Sequence, residues 1–167
     1  HIPTHMSGFT EPAVGRRDGT IPYRFLDTLS YVRVAGDETN GRCSVVEMHL
    51  RDGHAPPMHV HGNADETLHV LEGAVTAHTA ESTHSVTAGG TVVLPQGEKH
   101  SLVADEQSVV LASTTPAGFD EFVTAVGEPV SDEAVPTEPP SKEAIGRVND
   151  LAADHDIEIV GPPPVGP

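Results

Sequence analysis

The stretch GHAPPMHVHGNADETLHVLEG, residues 53–73, decides how this chain reads. At its centre stands His59-Val60-His61, and Glu66 follows after the short turn Gly62-Asn63-Ala64-Asp65. Alternate residues of an extended strand share a face, so an H-x-H pair sends both imidazoles to one side. A turn of that length, followed by a new strand, brings the carboxylate of Glu66 back to the same point. A fourth donor is available in His100, after the turn Pro95-Gln96-Gly97. Three imidazoles and one carboxylate from separate segments are the donor chemistry of a transition-metal site with an open coordination position.

Outward from this stretch, short apolar-alternating runs are separated by turn residues. They occupy 23–26, 29–34 and 43–50 before it, and 67–71, 75–79, 84–87, 91–94, 100–103 and 108–112 within and after it. Glu72-Gly73, Gly89-Gly90 and Asp105-Glu106 break the runs with turn chemistry. Many short strands at close spacing, without an internal repeat, predict a single all-β sandwich or barrel. The period changes at Thr115-Pro116. Thr115 is placed to cap a helix, Pro116 suits its first position, and Phe119, Phe122, Val123 and Val126 form its apolar stripe until Gly127 and Pro129. Residues 128–140 read as an acidic, proline-rich linker. Ser141 opens a second helix with Ile145, Val148 and Leu151 on one face, closing near His155, and Ile157, Ile159 and Val160 form an edge strand. The expected organisation is therefore a tag remnant left by expression at 1–5 with the natural start at Met6, an arm over 6–22, a barrel over 23–114, and C-terminal helices, linker and edge strand over 115–167.

The spacing carries a specific resemblance. Gly53, five residues, His59-x-His61, four residues, Glu66, six residues, Gly73 is similar at every position to the first motif of the cupin superfamily. Gly89, five residues, Pro95-x-Gly97, two residues, His100 resembles the second, except that its final Asn is Ala104 here. The resemblance implies an all-β, single-domain jelly-roll barrel with two short C-terminal helices, its ligands in the barrel mouth. It implies one divalent transition metal, iron, nickel, manganese, cobalt, copper or zinc, held by His59, His61, Glu66 and His100, with Glu66 also the catalytic base. The tail around Pro116 to Phe122 and over 157–163 resembles the small cupins of the quercetin 2,3-dioxygenase-like group. That likeness implies a metal-dependent dioxygenase acting on a small flavonol- or enol-type substrate. A non-catalytic cupin that binds a small ligand, and a cupin isomerase or decarboxylase, are the alternatives. Barrels of this kind pair through edge strands, so a homodimer is the expectation.

Met48, Met58, Leu68, Val70, Val93 and Leu102 are candidates for a pocket wall beside the metal, and His54 for its rim. His49, His78, His84 and His155 read as surface histidines, and His69, opposite in parity to Glu66, as facing away. The chain of 167 residues has one cysteine, Cys43, which excludes an intrachain disulfide and a cysteine-rich zinc site. Twenty-five acidic residues against nine basic ones give a formal charge of -16, a field that disfavours nucleic acid and anionic membrane as partners. So much acid with only two lysines, Lys99 and Lys142, also resembles the proteins of salt-adapted cells. No apolar run approaches the ~20 residues that span a bilayer, and a cytoplasmic protein is expected.

Overall fold

The computed structural model describes residues 8–164; residues 1–5, expected to be a tag remnant, and the expected start at Met6 lie outside the described residues. In chain order the elements are β1 (Tyr23–Phe25), β2 (Thr28–Val34), β3 (Ser44–Leu50), β4 (Met58–His61), β5 (Asp65–Glu72), β6 (Ala74–Thr79), β7 (Thr83–Thr87), β8 (Thr91–Leu94), β9 (His100–Ala104), β10 (Ser108–Thr115), α1 (Phe119–Val126), β11 (Glu128–Pro129), α2 (Lys142–Leu151) and β12 (Ile157–Gly161). Two antiparallel sheets face each other, one in the order β11-β1-β2-β3-β10-β5-β8 and the other β12-β4-β9-β6-β7. This is the all-β sandwich that the strand spacing predicts and the jelly roll that the resemblance implies, with open sheet edges.

Alternation fixes the core. Val46, Met48 and Leu50 of β3, Leu68 and Val70 of β5, and Val110 and Ala112 of β10 are buried, opposite Val75 and Ala77 of β6 and Ala104 of β9. The reverse face of the larger sheet is polar but covered. Glu47, only 1% exposed, meets Arg17 Nε at 3.1 Å, Arg33 Nη1 at 2.5 Å and His49 Nε2 at 2.7 Å. A buried carboxylate is tolerated only with such partners. His49 is therefore half-buried in a hydrogen bond to Glu47 and is not the surface histidine its sequence position predicts. Arg17 comes from the N-terminal arm, so that arm lies on the sheet. The acidic linker crosses the same face: β11 pairs with β1, and Tyr31 donates its hydroxyl to Glu133 at 2.9 Å. Burial, and then Glu133, push the Tyr31 phenol up to about 12.

The first helix starts later than the sequence predicts. Thr115 is not a cap; it is the last residue of β10, paired with Asp65, and the Thr115-Pro116 peptide is cis. The cap comes from within the helix: Asp120 accepts from Gly118 N–H at 3.1 Å and from Gly36 N–H at 2.8 Å. That second bond ties α1 to the turn after β2. The second helix follows its sequence signal, with Ser141 Oγ accepting from Ala144 N–H at 3.1 Å. Its apolar face is narrower than predicted, because Val148 is buried while Ile145 is 44% exposed.

Candidate metal centre

The two motifs are brought together by strand pairing. β4 lies between β12 and β9, and His59 stands directly opposite His100 in that ladder. Glu66 reaches the same place from the other sheet, where it pairs with Leu94 of β8 and Thr114 of β10. The centre therefore bridges the two sheets. One ligand atom from each of His59, His61, Glu66 and His100 lies within 4.8 Å of every other. Donors at about 2.1 Å from one ion stand roughly 3–4 Å apart, so only small adjustments separate this arrangement from a coordination sphere.

The hydrogen bonds orient these donors inward. A carbonyl oxygen can only accept, so Nδ1–H of His59 donates to Pro57 O at 2.8 Å and Nδ1–H of His100 to Glu98 O at 3.1 Å. Each neutral ring then presents its Nε2 lone pair to the centre, the outer-shell device that fixes a ligating tautomer. Two lone pairs meet there, because His100 Nε2 is 3.1 Å from Glu66 Oε2. His61 Nε2 is 3.0 Å from the same oxygen, yet it is buried without a hydrogen-bond partner. Such a cluster calls for a positive charge at its middle, and the residues fit a divalent metal.

Protonation follows the same geometry. Burial, reinforced by the neighbouring His100 and His61, pushes His59 down to about 4. For His61 burial acts downward, but the Glu66 charge and contact outweigh it and raise the imidazole. Glu66 is pushed up by burial and pulled further down by His61 and His100, which hold its carboxyl well below the usual range. Glu66 is thus committed to the centre by two imidazoles.

Beside the centre lies a cavity of about 80 Å³ with an almost wholly apolar wall. Met48, His54, Leu68 and Leu102 line it, as do the four donors. Three of the expected wall residues stand elsewhere. Val93 is 59% exposed, because its strand neighbour Leu94, opposite Glu66, takes the inward position. Met58 alternates with His59 and so points outward with Val60. Val70 is buried in the core but lies two strand positions beyond the cavity wall at Leu68, ~7 Å along β5. Much of the remaining wall comes from residues that the motifs do not reveal, among them Phe25 of β1, Phe119 and Phe122 of α1, Val148 of α2 and Ile157 of β12. Phe119 sets its ring edge-on to His61 at 6.0 Å. The sequence signals for these residues are the phenylalanine stripe of the first helix, the apolar face of the second and the final strand, none of which says that they meet at one cavity. Of the other histidines, His69 and His84 are exposed, His78 is half-buried, and His155 is half-buried against the Phe122 ring at 5.4 Å.

The comparisons agree with this architecture. The Cupin domain family matches residues 46–113, which include all four donors. No curated protein matches the sequence. Among solved structures, KdgF from Halomonas sp. superposes with a TM-score of 0.58 at 18% identity, covering 65% of this chain and 98% of its own. A predicted oxalate decarboxylase from Thermotoga maritima gives 0.56 at 17%, with 62% and 98% covered. The polyketide cyclase RemF from Streptomyces resistomycificus gives 0.53 at 20%, with 64% and 79% covered. At these identities the likeness concerns the fold. Among the described residues no helix is long and apolar enough to cross a membrane. Residues 46–113 thus match the Cupin domain family, and the strands around them complete a jelly roll of the cupin fold.

Proposed function

We propose that this protein is a metal-dependent enzyme of the quercetin 2,3-dioxygenase-like kind, acting on a small enol or related hydroxylated molecule. The observation that carries this reading is the meeting of four inward donors with an apolar cavity. His59, His61, Glu66 and His100 would hold the ion. A bound divalent metal supplies Lewis acidity and a position for a substrate oxygen. The protein supplies apolar walls that exclude water, with Phe119 and Phe122 closing the site from α1.

Cavity size narrows the substrate. About 80 Å³ is far below the ~300–1,000 Å³ of sites for drug-sized ligands, which favours a molecule of a few heavy atoms over a tricyclic flavonol. The same volume suits decarboxylation or isomerisation of a small acid, which needs no oxygen. Protein reconstituted separately with iron(II), nickel, cobalt, manganese, copper and zinc, and offered a panel of small enols and keto acids, separates these readings. Oxygen consumption marks the oxygenase, and carbon dioxide release under anaerobic conditions marks the decarboxylase. Silence with every metal, together with ligand-dependent thermal stabilisation, leaves a binding protein. The metal carried by protein from its native host identifies the working ion, since the donor set accepts several. We place the protein in the cytoplasm, where a lone thiol such as Cys43 stays reduced, and as a homodimer, which sedimentation equilibrium tests directly.

A further inference from the structure

The cavity holds one polar group that the metal centre does not use. His54, 5% exposed, lines the wall outside the four-donor cluster. Its backbone is fixed on both sides: His54 N–H donates to Arg51 O at 3.1 Å, and His54 O accepts from Ala104 N–H at 2.9 Å. Its side chain is fixed too, by Nδ1 at 2.6 Å from Asp27 Oδ1. Asp27 comes from the turn between β1 and β2, is 3% exposed, and is not part of the cavity wall.

The tautomer follows from the contact, since a carboxylate oxygen accepts. Asp27 Oδ2 accepts from Arg51 Nε at 2.6 Å, so the carboxylate is shared between a guanidinium and the imidazole and is fixed from two sides. A neutral His54 then carries its proton on Nδ1, donated to the carboxylate, and its lone pair on Nε2. The two ring nitrogens point to nearly opposite sides. With Nδ1 turned toward Asp27, Nε2 is the edge left for the cavity, and it makes no hydrogen bond with any described residue. An acceptor held rigidly in an apolar wall is unfavourable unless a ligand satisfies it.

We propose that His54 is the proton acceptor for an enolic or phenolic hydroxyl of the substrate, with Asp27 and Arg51 as the residues that position it. This rests on the reading of the cavity as a substrate site beside a metal. In the step, the substrate O–H bond breaks and a new N–H bond forms at Nε2. The electron pair stays on the substrate oxygen. The resulting imidazolium is stabilised through Nδ1–H by Asp27, whose carboxylate lies 2.6 Å away. The selectivity that follows is for small, mostly apolar molecules with one acidic hydroxyl.

The test uses zinc(II), which is diamagnetic, and acetylacetone as an enol probe. Wild type and His54→Gln should each take up one zinc, since neither His54 nor Asp27 belongs to the donor set. Long-range ¹H–¹⁵N spectra of zinc-loaded wild type should show His54 protonated on Nδ1 alone, and on both nitrogens once acetylacetone binds. His54→Gln should bind the probe about tenfold or more weakly, the scale of one lost charge-assisted hydrogen bond. Asp27→Asn should free the tautomer and weaken the probe in wild type but not in the His54→Gln background. A His54 Nε2 that stays unprotonated in the complex, an unaltered probe affinity in His54→Gln, or no probe uptake by the zinc-loaded wild type each overturns the proposal. Failure of wild type to bind zinc overturns the metal reading itself, a different result from zinc uptake with a silent His54.

Discussion

Metal binding here must release a proton, and the pH dependence of affinity measures it. In the metal-free protein, Glu66 raises His61 above its ordinary 6.5, while Glu66 itself is held well below 4.5 and His59 is down at about 4. Of the four groups, His61 is the one whose hold on a proton is strengthened, and that proton is the one an incoming ion must displace. The sign works in both directions. The raised His61 contributes stability to the metal-free fold that is fully present below 6.5 and lost as pH rises through its folded value. The depressed Glu66 contributes stability present above 4.5 and lost as pH falls through its own. Metal affinity instead falls with pH wherever His61 is protonated, about tenfold per unit, or about 1.4 kcal/mol. Between about pH 7.5 and pH 5.5 the stabilisation by a fixed excess of metal should shrink by up to about 2.7 kcal/mol, a loss of roughly 5–11 °C in Tm for a domain of this size. Calorimetric titration in two buffers of different ionisation enthalpy counts the released proton, and thermal unfolding with and without metal reads the shrinking gap. Glu66→Gln removes the group that raises His61. Its proton release should vanish, and its affinity should fall by at least the ~10–100-fold seen for outer-shell changes. No proton release in wild type, or an unchanged release in Glu66→Gln, refutes the reasoning.

Further outcomes test the fold around the site. Asp27 is held below 3.8 because His54 and Arg51 together outweigh the upward push of burial. Its contribution is present above that value and lost as pH falls through the depressed one, so Asp27→Asn should cost roughly 3 kcal/mol in urea unfolding at neutral pH and nearly nothing in strong acid. Gly73 has φ +88°, and a Cβ there would collide with Ser108 Oγ and the Gln107 carbonyl. Gly73→Ala should therefore lose more than the ~1–3 kcal/mol of backbone strain alone, and an unfolding midpoint close to wild type would sink that account. Phe122, 4% exposed and edge-on to Phe25 at 5.6 Å, packs on the cavity. Phe122→Ala should cost about 3–5 kcal/mol and admit bulkier ligands, read by unfolding and by competition with aromatic enols. With a formal charge of -16, raising salt from dilute to molar should raise Tm, because the Debye length falls from ~10 Å to ~3 Å between about 0.1 and 1 M. A flat salt profile would remove the link to a salt-adapted host.

The donors were legible in the sequence because their geometry is local or strand-periodic. His59 and His61 share a face by alternation alone, and Glu66 returns across a four-residue turn. His100 is different. Its place opposite His59 depends on the β4–β9 register, which no periodicity reveals, and only the motif spacing connects it to the others. The errors among the wall residues have the same origin. The run Thr91–Leu94 is apolar at three successive positions, so its pattern does not say which side of the strand faces inward; the structure turns Leu94 in and Val93 out. Met58 was decidable, since the alternation that turns the histidines in turns Met58 out.

What lay beyond reach was the cavity, and the reason is topological. Its wall joins β1, α1, α2 and β12, from Phe25 to Ile159, so the shape of the site is written in long-range packing while its chemistry is written in two short motifs. The same division explains why the sequence suggests His54 for the rim but not what holds it there. Its neighbours in sequence are Gly53 and Ala55, and the group that fixes its ring, Asp27, is 27 residues away. Motif residues decide that a metal can be held, and the segments outside the motif decide what may stand beside it. Two chains with the same four donors can therefore differ in substrate through Phe119, Phe122 and His54 alone. Exchanging those three residues between small cupins should move ligand preference while leaving zinc affinity in place, whereas a parallel loss of both would mean that wall and centre are one energetic unit.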